Sequence, residues 1–363
     1  MNPPLLIAPG ATLGILGGGQ LGRMTALAAS ALGYRTHIYC QAADEPAAQV
    51  TNRVTLGAFD DAAALAQFAG MVDVVTLEWE NIPVEAVAAV QVITPIYPGV
   101  KVLEVAQDRV LEKSFVRGCG IGTADFTAID SAQDLAGALQ KLQQPAILKT
   151  RRMGYDGKGQ LRVVPGDDAG AVWRKVGGVP AILEAMVDFA YEISVIVARR
   201  ADGTMAAFPP VRNVHYDGIL VETHVPADLS PAVLAEAEGA AQRLAEQLGA
   251  VGLLAVEMFV LRQPDVAGRS VLVNEIAPRP HNSGHWTIDA CATSQFEQLV
   301  RAVCGLPLGV VTPTCRAVMY NLIGDAVHDW KKWAAMPHAH LHLYGKAVVR
   351  PGRKMGHVTV TGV

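Results

Sequence analysis

Two glutamates in otherwise apolar segments are the residues of this chain most suited to chemistry. Glu257 lies in the run 252–260, and Glu275 follows the run 270–273. A carboxylate inside an apolar strand costs free energy unless a partner offsets its charge. A turn centred near Val266 would place Glu257 directly opposite Glu275, where the two charges repel unless a cation lies between them. The pair predicts a magnesium site that holds phosphates, and ion pairs with arginine or lysine are the alternative.

The segment 274–285 adds further polar groups directly after the second of these strands. It reads Asn-Glu-Ile-Ala-Pro-Arg-Pro-His-Asn-Ser-Gly-His, so an amide, a carboxylate, an arginine and two histidines lie close together. Such a concentration of ionisable and amide groups directly after an apolar strand predicts a functional segment.

A glycine-rich turn follows the first predicted strand. Gly17, Gly19 and Gly22 form the pattern GxGxxG between a strand and a helix, where backbone N–H groups can bind a phosphate. A dinucleotide site would also need an acidic residue at the end of the second strand, but that strand ends near Gln41 and Asp44 lies in the loop. A sugar-phosphate site or a purely structural turn is therefore favoured.

Glu78 and Glu80 follow the predicted strand 72–77. Open α/β sheets bind ligands at the carboxyl ends of their strands, so we expect at least one of these glutamates to contact a ligand. In the alternative, both are solvated loop charges and Asn81 caps a helix that begins at Pro83.

Basic residues mark two more candidate phosphate sites. Lys149 ends a predicted strand and precedes the glycine-rich loop 153–159, which suits a lid over a polyphosphate; a surface hairpin is the alternative. The C-terminal tail predicts a monophosphate site, with a solvated charge run as the alternative. Its basic side chains are Lys346, Arg350, Arg353, Lys354 and His357.

The composition limits the class of protein. A length of 363 residues predicts two or three domains, and the net charge of −4 argues against a nucleic-acid partner. The 5 cysteines are scattered, which argues against a disulfide framework or zinc site and favours a reducing compartment. Because the sequence has no long apolar run and no basic region typical of a signal peptide, we expect a cytoplasmic protein without a membrane partner.

The patterning predicts both α/β and α+β architecture. Strands 12–16, 35–39 and 72–77 alternate with helices 20–32, 60–68 and 101–116, which indicates a parallel sheet covered on both faces. After the glycines at 118–122, strands 146–149, 161–164, 181–186 and 192–198 and helix 231–248 indicate a domain with antiparallel strands. Strands 315–322, 341–349 and 357–360 indicate a small β-rich domain. The predicted domains are 1–117, 118–305 and 306–363.

Taken together, these features resemble the ATP-grasp superfamily over nearly the whole chain. Four segments, 17–24, 153–160, 274–285 and 350–357, are similar to the 5-(carboxyamino)imidazole ribonucleotide synthase family of purine biosynthesis. The resemblance implies an ATP-grasp fold with a preceding parallel α/β domain and a C-terminal β-rich domain. It also implies a homodimeric ligase that carboxylates aminoimidazole ribonucleotide with bicarbonate and ATP through carboxyphosphate, with Mg²⁺ or Mn²⁺ as the metal.

The resemblance assigns roles by matched position. ATP should contact Arg109, Lys149, Met153, Gly154, Tyr155, Asp156, Gly157, Lys158, Gly159, Glu184, Ala185, Met186, Val187, Glu192, His215, Asn274 and Glu275. The metal should bind Glu257 and Glu275. The other substrates should contact Gln20, Leu21, Glu78, Tyr155, Asn282, Lys346 and Arg353. The catalytic roles fall to Asp156, Lys158, Arg279, His281 and Lys346, with Arg279 holding carboxyphosphate.

Two positions depart from the family pattern, and three rival functions remain. Met153 replaces a glycine, which implies a stiffer loop, and Lys158 replaces an arginine, which loses bidentate geometry. Another ATP-grasp ligase, such as a biotin carboxylase or a formate-dependent ribonucleotide transformylase, would share the ATP residues but not the basic tail or the Glu78 segment. A non-catalytic nucleotide-binding regulator would lack the metal carboxylates, and an oxidoreductase would need the absent ribose-binding acid.

Overall fold

The N-terminal part of the chain is a parallel sheet with helices on both sides. The computed structural model describes residues 6–154 and 159–363. The strands of this sheet are β1 (Thr12–Leu16), β2 (Arg35–Cys40), β3 (Arg53–Leu56), β4 (Val74–Leu77) and β5 (Ile96–Tyr97). Their order is β3-β2-β1-β4-β5, and every neighbouring pair is parallel. The strands and the parallel sheet predicted from the sequence are confirmed, and β1 and β4 end side by side.

The described residues up to 118 form five α-helices: α1 (Gln20–Ala31), α2 (Ala62–Ala69), α3 (Val84–Gln91), α4 (Val100–Ala106) and α5 (Arg109–Gly118). The single helix predicted over 101–116 is wrong, because the chain breaks at Gln107 and Asp108. The Asp108 carboxylate accepts hydrogen bonds from the N–H groups of Val110 and Leu111 at 3.0 and 3.2 Å, which caps a new helix. Arg109 thereby becomes the first residue of α5. The alternative role of Asn81 as a helix cap is also wrong, since Pro83 precedes α3 and no side chain caps it.

A small antiparallel sheet follows. Its described strands are β6 (Phe126–Ile129), β7 (Ala146–Thr150), β8 (Gln160–Val163) and β9 (Ala181–Ala185), in the order β6-β9-β7-β8. Helices α6 (Ala132–Lys141) and α7 (Ala169–Lys175) pack on it. Residues 155–158, between β7 and β8, lie outside the described part of the chain.

The largest sheet has nine strands among the described residues, and all its neighbouring pairs are antiparallel. They are β10 (Phe189–Arg199), β11 (Met205–Ala207), β12 (Val211–Tyr216), β13 (Ile219–Val225), β14 (Gly252–Leu261), β15 (Val271–Ala277), β16 (Ala317–Ile323), β17 (Ala339–Leu343) and β18 (Lys354–Thr361). The order is β15-β14-β10-β12-β13-β16-β18-β17, with β11 on β10. The C-terminal region is β-rich as predicted, and the pairing of β13 with β16 makes its strands part of this sheet. Strand β17 ends at Leu343, so the prediction of a strand over 341–349 is too long.

The central strands of this sheet are covered on both faces, which explains their continuous apolar sequence. Helix α8 (Pro231–Leu248) packs with Leu254 and Val256 of β14, whereas helix α10 (Gln295–Val303) packs with Leu253 and Ala255. Ser230 caps α8, and Gly249 ends it in the left-handed conformation with φ of 65°, so the predicted bounds 231–248 are confirmed. The remaining α-helices of the described chain are α9 (Thr287–Ala290) and α11 (Trp330–Ala334). In the described ranges, no helix has the length and apolar character needed to cross a membrane.

Candidate active site

The two glutamates predicted to face each other do so. In the β14–β15 ladder Glu257 is paired directly with Glu275, next to an irregularity between Glu257 and Met258. Each carboxylate has a cationic or potentially cationic neighbour. Glu275 Oε2 lies 2.8 Å from Arg109 Nη1, and Glu257 Oε1 lies 2.8 Å from His281 Nε2. The alternative of ion pairing is therefore present in the structure, and it offsets the repulsion between the two carboxylates.

Arg109 keeps Glu275 ionised. Burial alone would raise the pKa of Glu275, but the charge and the hydrogen bond of Arg109 lower it from 4.5 to about 2. The pKa of Arg109 is raised in turn, because Glu275 outweighs the effect of burial. Both side chains come from elements with fixed ends, the first turn of α5 and the strand β15. The negative charge at Glu275 is consequently permanent at physiological pH.

The oxygen atoms beside this pair fit a hard divalent cation. Glu257, Asn274 and Glu275 all line one cavity. The buried Oδ1 atom of Asn274 has no hydrogen-bond partner among the described residues, although the backbone oxygen of Asn274 accepts a bond from Lys113 Nζ at 2.8 Å. Two carboxylates and one unsatisfied amide oxygen form the donor set that Mg²⁺ prefers. The residues present therefore fit the metal that the resemblance implies.

A buried carboxylate shared by two lysines lies near the candidate metal-binding residues. Glu184 on β9 contacts Lys149 Nζ at 2.9 Å and Lys113 Nζ at 3.4 Å, and the Glu184 and Lys113 side chains are only 4% and 1% exposed. Burial would raise the pKa of Glu184, but the two ammonium groups outweigh it and the net pKa is lowered. Glu184 does not line the cavity, whereas Lys149 does.

Arg279 forms a bidentate ion pair with Glu80, which lies in the segment after β4. Its Nη2 atom donates to Glu80 Oε1 at 2.9 Å, and its Nε atom donates to Glu80 Oε2. Arg279 keeps the pKa of Glu80 below its usual value despite burial. Because the pair is bidentate, the plane of the guanidinium is fixed while its Nη1 atom donates to the backbone of Pro280. Glu80 is thus an orienting residue that the sequence reasoning singled out without its partner.

The glycine-rich turn binds a carboxylate of the chain itself. Gly19 N donates to Glu78 Oε1 at 2.5 Å and Gly22 N donates to Glu78 Oε2 at 2.8 Å. The two partners meet because β1 and β4 are neighbours and end at the same edge of the sheet. The sequence left open a sugar-phosphate site or a purely structural turn, and the structure favours a structural turn that positions Glu78. Burial raises the pKa of the Glu78 carboxyl. Gln20 and Leu21 begin α1 directly after the turn.

Most of the predicted ATP and carboxyphosphate residues line one cavity of about 670 Å³. His215 Nδ1 lies 2.9 Å from Glu192 Oε2 on its wall, and this contact raises the pKa of His215 against the effect of burial. The predicted residues on the wall are Arg109, Lys149, Met153, Gly154, Glu192, His215, Glu257, Asn274, Glu275, Arg279, His281 and Asn282. Gly159, Glu184, Ala185, Met186 and Val187 are not among its lining residues. Tyr155, Asp156, Gly157 and Lys158 lie outside the described residues.

A second cavity of about 200 Å³ contains the predicted phosphate ligands Lys346 and Arg353, together with Arg350, Asp44 and Glu45. Lys346 Nζ also donates to the backbone oxygen of Lys354 at 2.6 Å. The structure therefore separates these residues, and likewise Glu78, Gln20 and Leu21, from the lining of the larger cavity.

Three charged residues in or beside the larger cavity were not assigned to it from the sequence. Lys354 is only 7% exposed and lines the larger cavity. Glu112 also lines it, is buried, and accepts a hydrogen bond from the backbone N–H of Ile276. Burial raises the pKa of Glu112 to about 8. Lys113 supports Asn274 and Glu184. The available signal was a charged pair on the apolar face of helix α5.

Comparisons with known proteins agree with this geometry. Residues 10–107 match the ribonucleotide synthetase preATP-grasp domain, residues 114–296 match the ATP-grasp domain, and residues 317–363 match the phosphoribosylaminoimidazole carboxylase C-terminal domain. The N5-carboxyaminoimidazole ribonucleotide synthase of Brucella melitensis is 47% identical over 97% of this chain and 97% of its own length. The chain belongs to the N5-carboxyaminoimidazole ribonucleotide synthase family, and it is an ATP-grasp ligase.

Other family members extend the comparison. The bifunctional purine synthesis protein purC/E of Dictyostelium discoideum is 46% identical over 98% of this chain, which spans 37% of that longer protein. The ADP complex of an N5-carboxyaminoimidazole ribonucleotide synthetase has a TM-score of 0.94 at 38% identity, covering 100% of this chain and 94% of the other. The Aspergillus clavatus enzyme in complex with ADP and 5-aminoimidazole ribonucleotide has a TM-score of 0.89 at 31% identity, covering 97% and 94%.

Proposed function

We propose that this chain carboxylates 5-aminoimidazole ribonucleotide with bicarbonate and ATP, and so makes 5-(carboxyamino)imidazole ribonucleotide for purine biosynthesis. The observation that carries the proposal is the single cavity in which Glu257 and Glu275 lie with Arg109, Lys149 and Arg279. It combines ligands for a metal–polyphosphate with a separately oriented arginine for a second anion. The complex of the Aspergillus relative with ADP and the ribonucleotide supports the choice of substrates.

ATP occupies the larger cavity in this proposal. Arg109, Lys149 and the loop 153–159 bind its phosphates, and Glu192 binds the ribose hydroxyls with His215 beside it. Although Glu184, Ala185, Met186 and Val187 are not among the residues that line this cavity, the adenine extends to them in the proposal. Glu184 Oε1 lies 3.4 Å from Lys113 Nζ but accepts no hydrogen bond from the described residues, so it can accept one from the adenine amino group. Glu257 and Glu275, with Asn274 beside them, hold Mg²⁺ or Mn²⁺. When bound, the metal neutralises charge on the ATP phosphates.

Arg279 acts on the bicarbonate side. Bicarbonate is a poor electrophile, so its oxygen first attacks the γ-phosphorus of ATP, which forms carboxyphosphate and releases ADP. The guanidinium, fixed by Glu80 on one edge, stabilises the developing charge, with His281 and Asn282 close by. The ribonucleotide amine then forms the C–N bond to the carboxyl carbon, directly or through carbon dioxide, and phosphate leaves. Asp156 and Lys158 handle the proton and the charge of the new carboxylate.

The ribonucleotide spans the region between the two cavities. Gln20, Leu21 and Glu78 contact it at the edge of the parallel sheet, and Lys346 and Arg353 bind its phosphate. Glu78 and Glu80 are two positions apart in the same segment, and Glu80 is the partner of Arg279. This segment therefore connects the residues proposed to bind the ribonucleotide with the residue proposed to bind carboxyphosphate. Lys346 in turn holds the backbone of Lys354, whose side chain reaches the larger cavity.

We also propose a cytoplasmic homodimer. Cys40, Cys119, Cys291, Cys304 and Cys315 are all free, which suits a reducing compartment. Size-exclusion chromatography with light scattering measures the oligomeric state, and a monomeric mass across the working concentration range would contradict the dimer.

The decisive experiment for the reaction uses bicarbonate labelled with oxygen-18. If carboxyphosphate forms, one labelled oxygen passes into the released phosphate, because the bicarbonate oxygen remains bonded to phosphorus. ATP hydrolysis should also require both bicarbonate and the ribonucleotide. Unlabelled phosphate in a reaction that consumes both substrates would refute the carboxyphosphate step, and turnover without the ribonucleotide would refute the assigned substrate.

A further inference from the structure

A cluster of three histidines and one aspartate lies apart from the active-site cavity, where α9 meets the C-terminal strands. His340 and His342 are two residues apart on β17 and therefore point to the same face. His357 on β18 is paired directly with His342 in the strand register. Asp289 of α9 packs against the same face. None of these four residues lines the larger cavity.

The ligand atoms of three of these side chains lie close together, and His340 lies beside them. His342 Nε2 lies 2.9 and 3.1 Å from the two Asp289 oxygens, and His340 Nδ1 lies 3.8 Å from Asp289 Oδ1. One ligand atom each of Asp289, His342 and His357 can be chosen so that all lie within 4.8 Å of one another. Two ligands on a tetrahedral zinc ion are about 3.3 Å apart when each bond is about 2.0 Å. The Asp289–His342 separation is already close to that value.

A second observation points independently to a ligand. His357 is 0% exposed, and its Nδ1 atom lies 2.9 Å from the hydroxyl of Tyr344. Its buried Nε2 atom has no hydrogen-bond partner among the described residues. A histidine whose one nitrogen is held by a second group while the other is left free is the usual arrangement of a metal-bound imidazole.

We propose that Asp289, His340, His342 and His357 form a binding site for a divalent transition-metal ion of the Zn²⁺ class, separate from the metal that accompanies ATP. Imidazole nitrogens favour Zn²⁺ and its neighbours over Mg²⁺, which prefers oxygen ligands. The His342 and His357 rings stack with centroids 4.5 Å apart at 15°, so chelation requires the His342 ring to tilt out of this stack. The side chain of His342 is 28% exposed and that of His340 is 45% exposed, which gives the ion a route from solvent and His342 room to move.

The bound ion would join two parts of the fold. Strand β17 is the edge strand of the large sheet, and α9 directly follows the segment 274–285 that carries Arg279 and His281. His357 also packs against His285, at the end of that segment, with ring centroids 4.7 Å apart. An ion between Asp289 and the histidines would hold the edge strand to the base of this segment. Binding of the ion should therefore stabilise the folded chain, and the ion itself would lie outside the active-site cavity.

Metal binding by the whole chain tests the proposal directly. Protein stripped with a chelator is dialysed against Zn²⁺ in excess Mg²⁺, and Co²⁺ replaces Zn²⁺ for visible spectroscopy. We expect one tightly bound ion per chain and the ligand-field bands of Co²⁺ with nitrogen ligands. The ion should remain in Glu257→Gln, which alters the active-site carboxylates, and in His328→Ala, which alters an exposed histidine outside the cluster.

The variants His340→Ala and Asp289→Asn should each bind the ion about tenfold more weakly or worse. His340 is half-exposed, so its variant should keep the far-ultraviolet circular dichroism of the parent chain and report on binding alone. Absence of bound ion after dialysis would overturn the proposal. So would undiminished binding in both cluster variants, or a loss of the ion in Glu257→Gln, because the ion would then belong to the active-site carboxylates.

Discussion

Replacing Lys113 with methionine tests whether the buried lysine–glutamate–lysine group stabilises the region where α5, β7 and β9 meet. The change keeps the length of the side chain but removes the ammonium that contacts Glu184 at 3.4 Å and donates to the Asn274 backbone at 2.8 Å. Removing one partner of a buried ion pair costs about 3–5 kcal/mol because the other charge stays buried. Lys149 still neutralises Glu184, so we expect the lower end, about 3 kcal/mol.

The expected shift in melting temperature follows from the size of the chain. An unfolding entropy of about 2.1 cal/mol/K per residue gives about 0.76 kcal/mol/K for 363 residues that unfold together. A loss of about 3 kcal/mol therefore lowers the melting temperature by about 4 °C. Lys101→Met, at an exposed position on α4, is the matched control and should leave it unchanged.

A double-mutant cycle separates the ion pair from the lost packing. We expect Glu184→Gln to be destabilising alone, because Lys113 and Lys149 then face each other, and to be less so in the presence of Lys113→Met. The coupling free energy should be about 1–3 kcal/mol, measured by scanning calorimetry of the four proteins. If the two changes are additive within about 0.5 kcal/mol, or if Lys113→Met melts like Lys101→Met, the ion pair does not stabilise this region.

Three further predictions concern the active site. In metal-free buffer, the free energy of unfolding of the wild type should decrease as the pH falls from 4.5 towards 2, because protonation of Glu275 abolishes its pairing with Arg109. Urea titrations should show a smaller decrease for Glu275→Gln over the same pH range. Equal decreases in the two proteins would contradict the pairing. Arg279→Lys keeps the charge but not the bidentate contact with Glu80, so kcat for phosphate release should fall about 10²–10³-fold. A decrease smaller than threefold would show that Arg279 takes no part in the chemistry. Glu78→Gln should raise the KM for the ribonucleotide about tenfold or more and leave that for ATP unchanged, whereas an equal rise in both would place Glu78 elsewhere.

The sequence predicted the features that depend on local pattern. The opposition of Glu257 and Glu275 follows from two apolar strands of known length joined by one turn, since the period of a strand fixes which side chains face each other. The bounds of α8 follow from Ser230, Pro231 and Gly249, which end a helix by local hydrogen bonding and backbone conformation. Such features need no knowledge of the rest of the chain.

The features that escaped prediction depend on contacts between distant segments. Arg109 and Glu275 are separated by 166 positions, and Lys149 and Glu184 belong to different strands of the small sheet. The residue pattern of one segment does not indicate which charged residue of a distant segment will contact it. Glu78 and the glycine turn were both recognised, but their contact follows only from the adjacency of β1 and β4, which the strand order supplies.

The paired charges bear on our proposal that a metal accompanies ATP in this site. Glu275 contacts Arg109 and Glu257 contacts His281, so each carboxylate already has a partner in the cavity wall. ATP without a metal would bring its negative phosphates towards these two carboxylates, and the nearby cations Arg109 and Lys149 are already paired with Glu275 and Glu184. A divalent cation held by Glu257 and Glu275 would supply positive charge to the phosphates, and Arg109 and Lys149 would then be available to pair with phosphate oxygens. We therefore propose that the site favours the metal-bound form of the nucleotide.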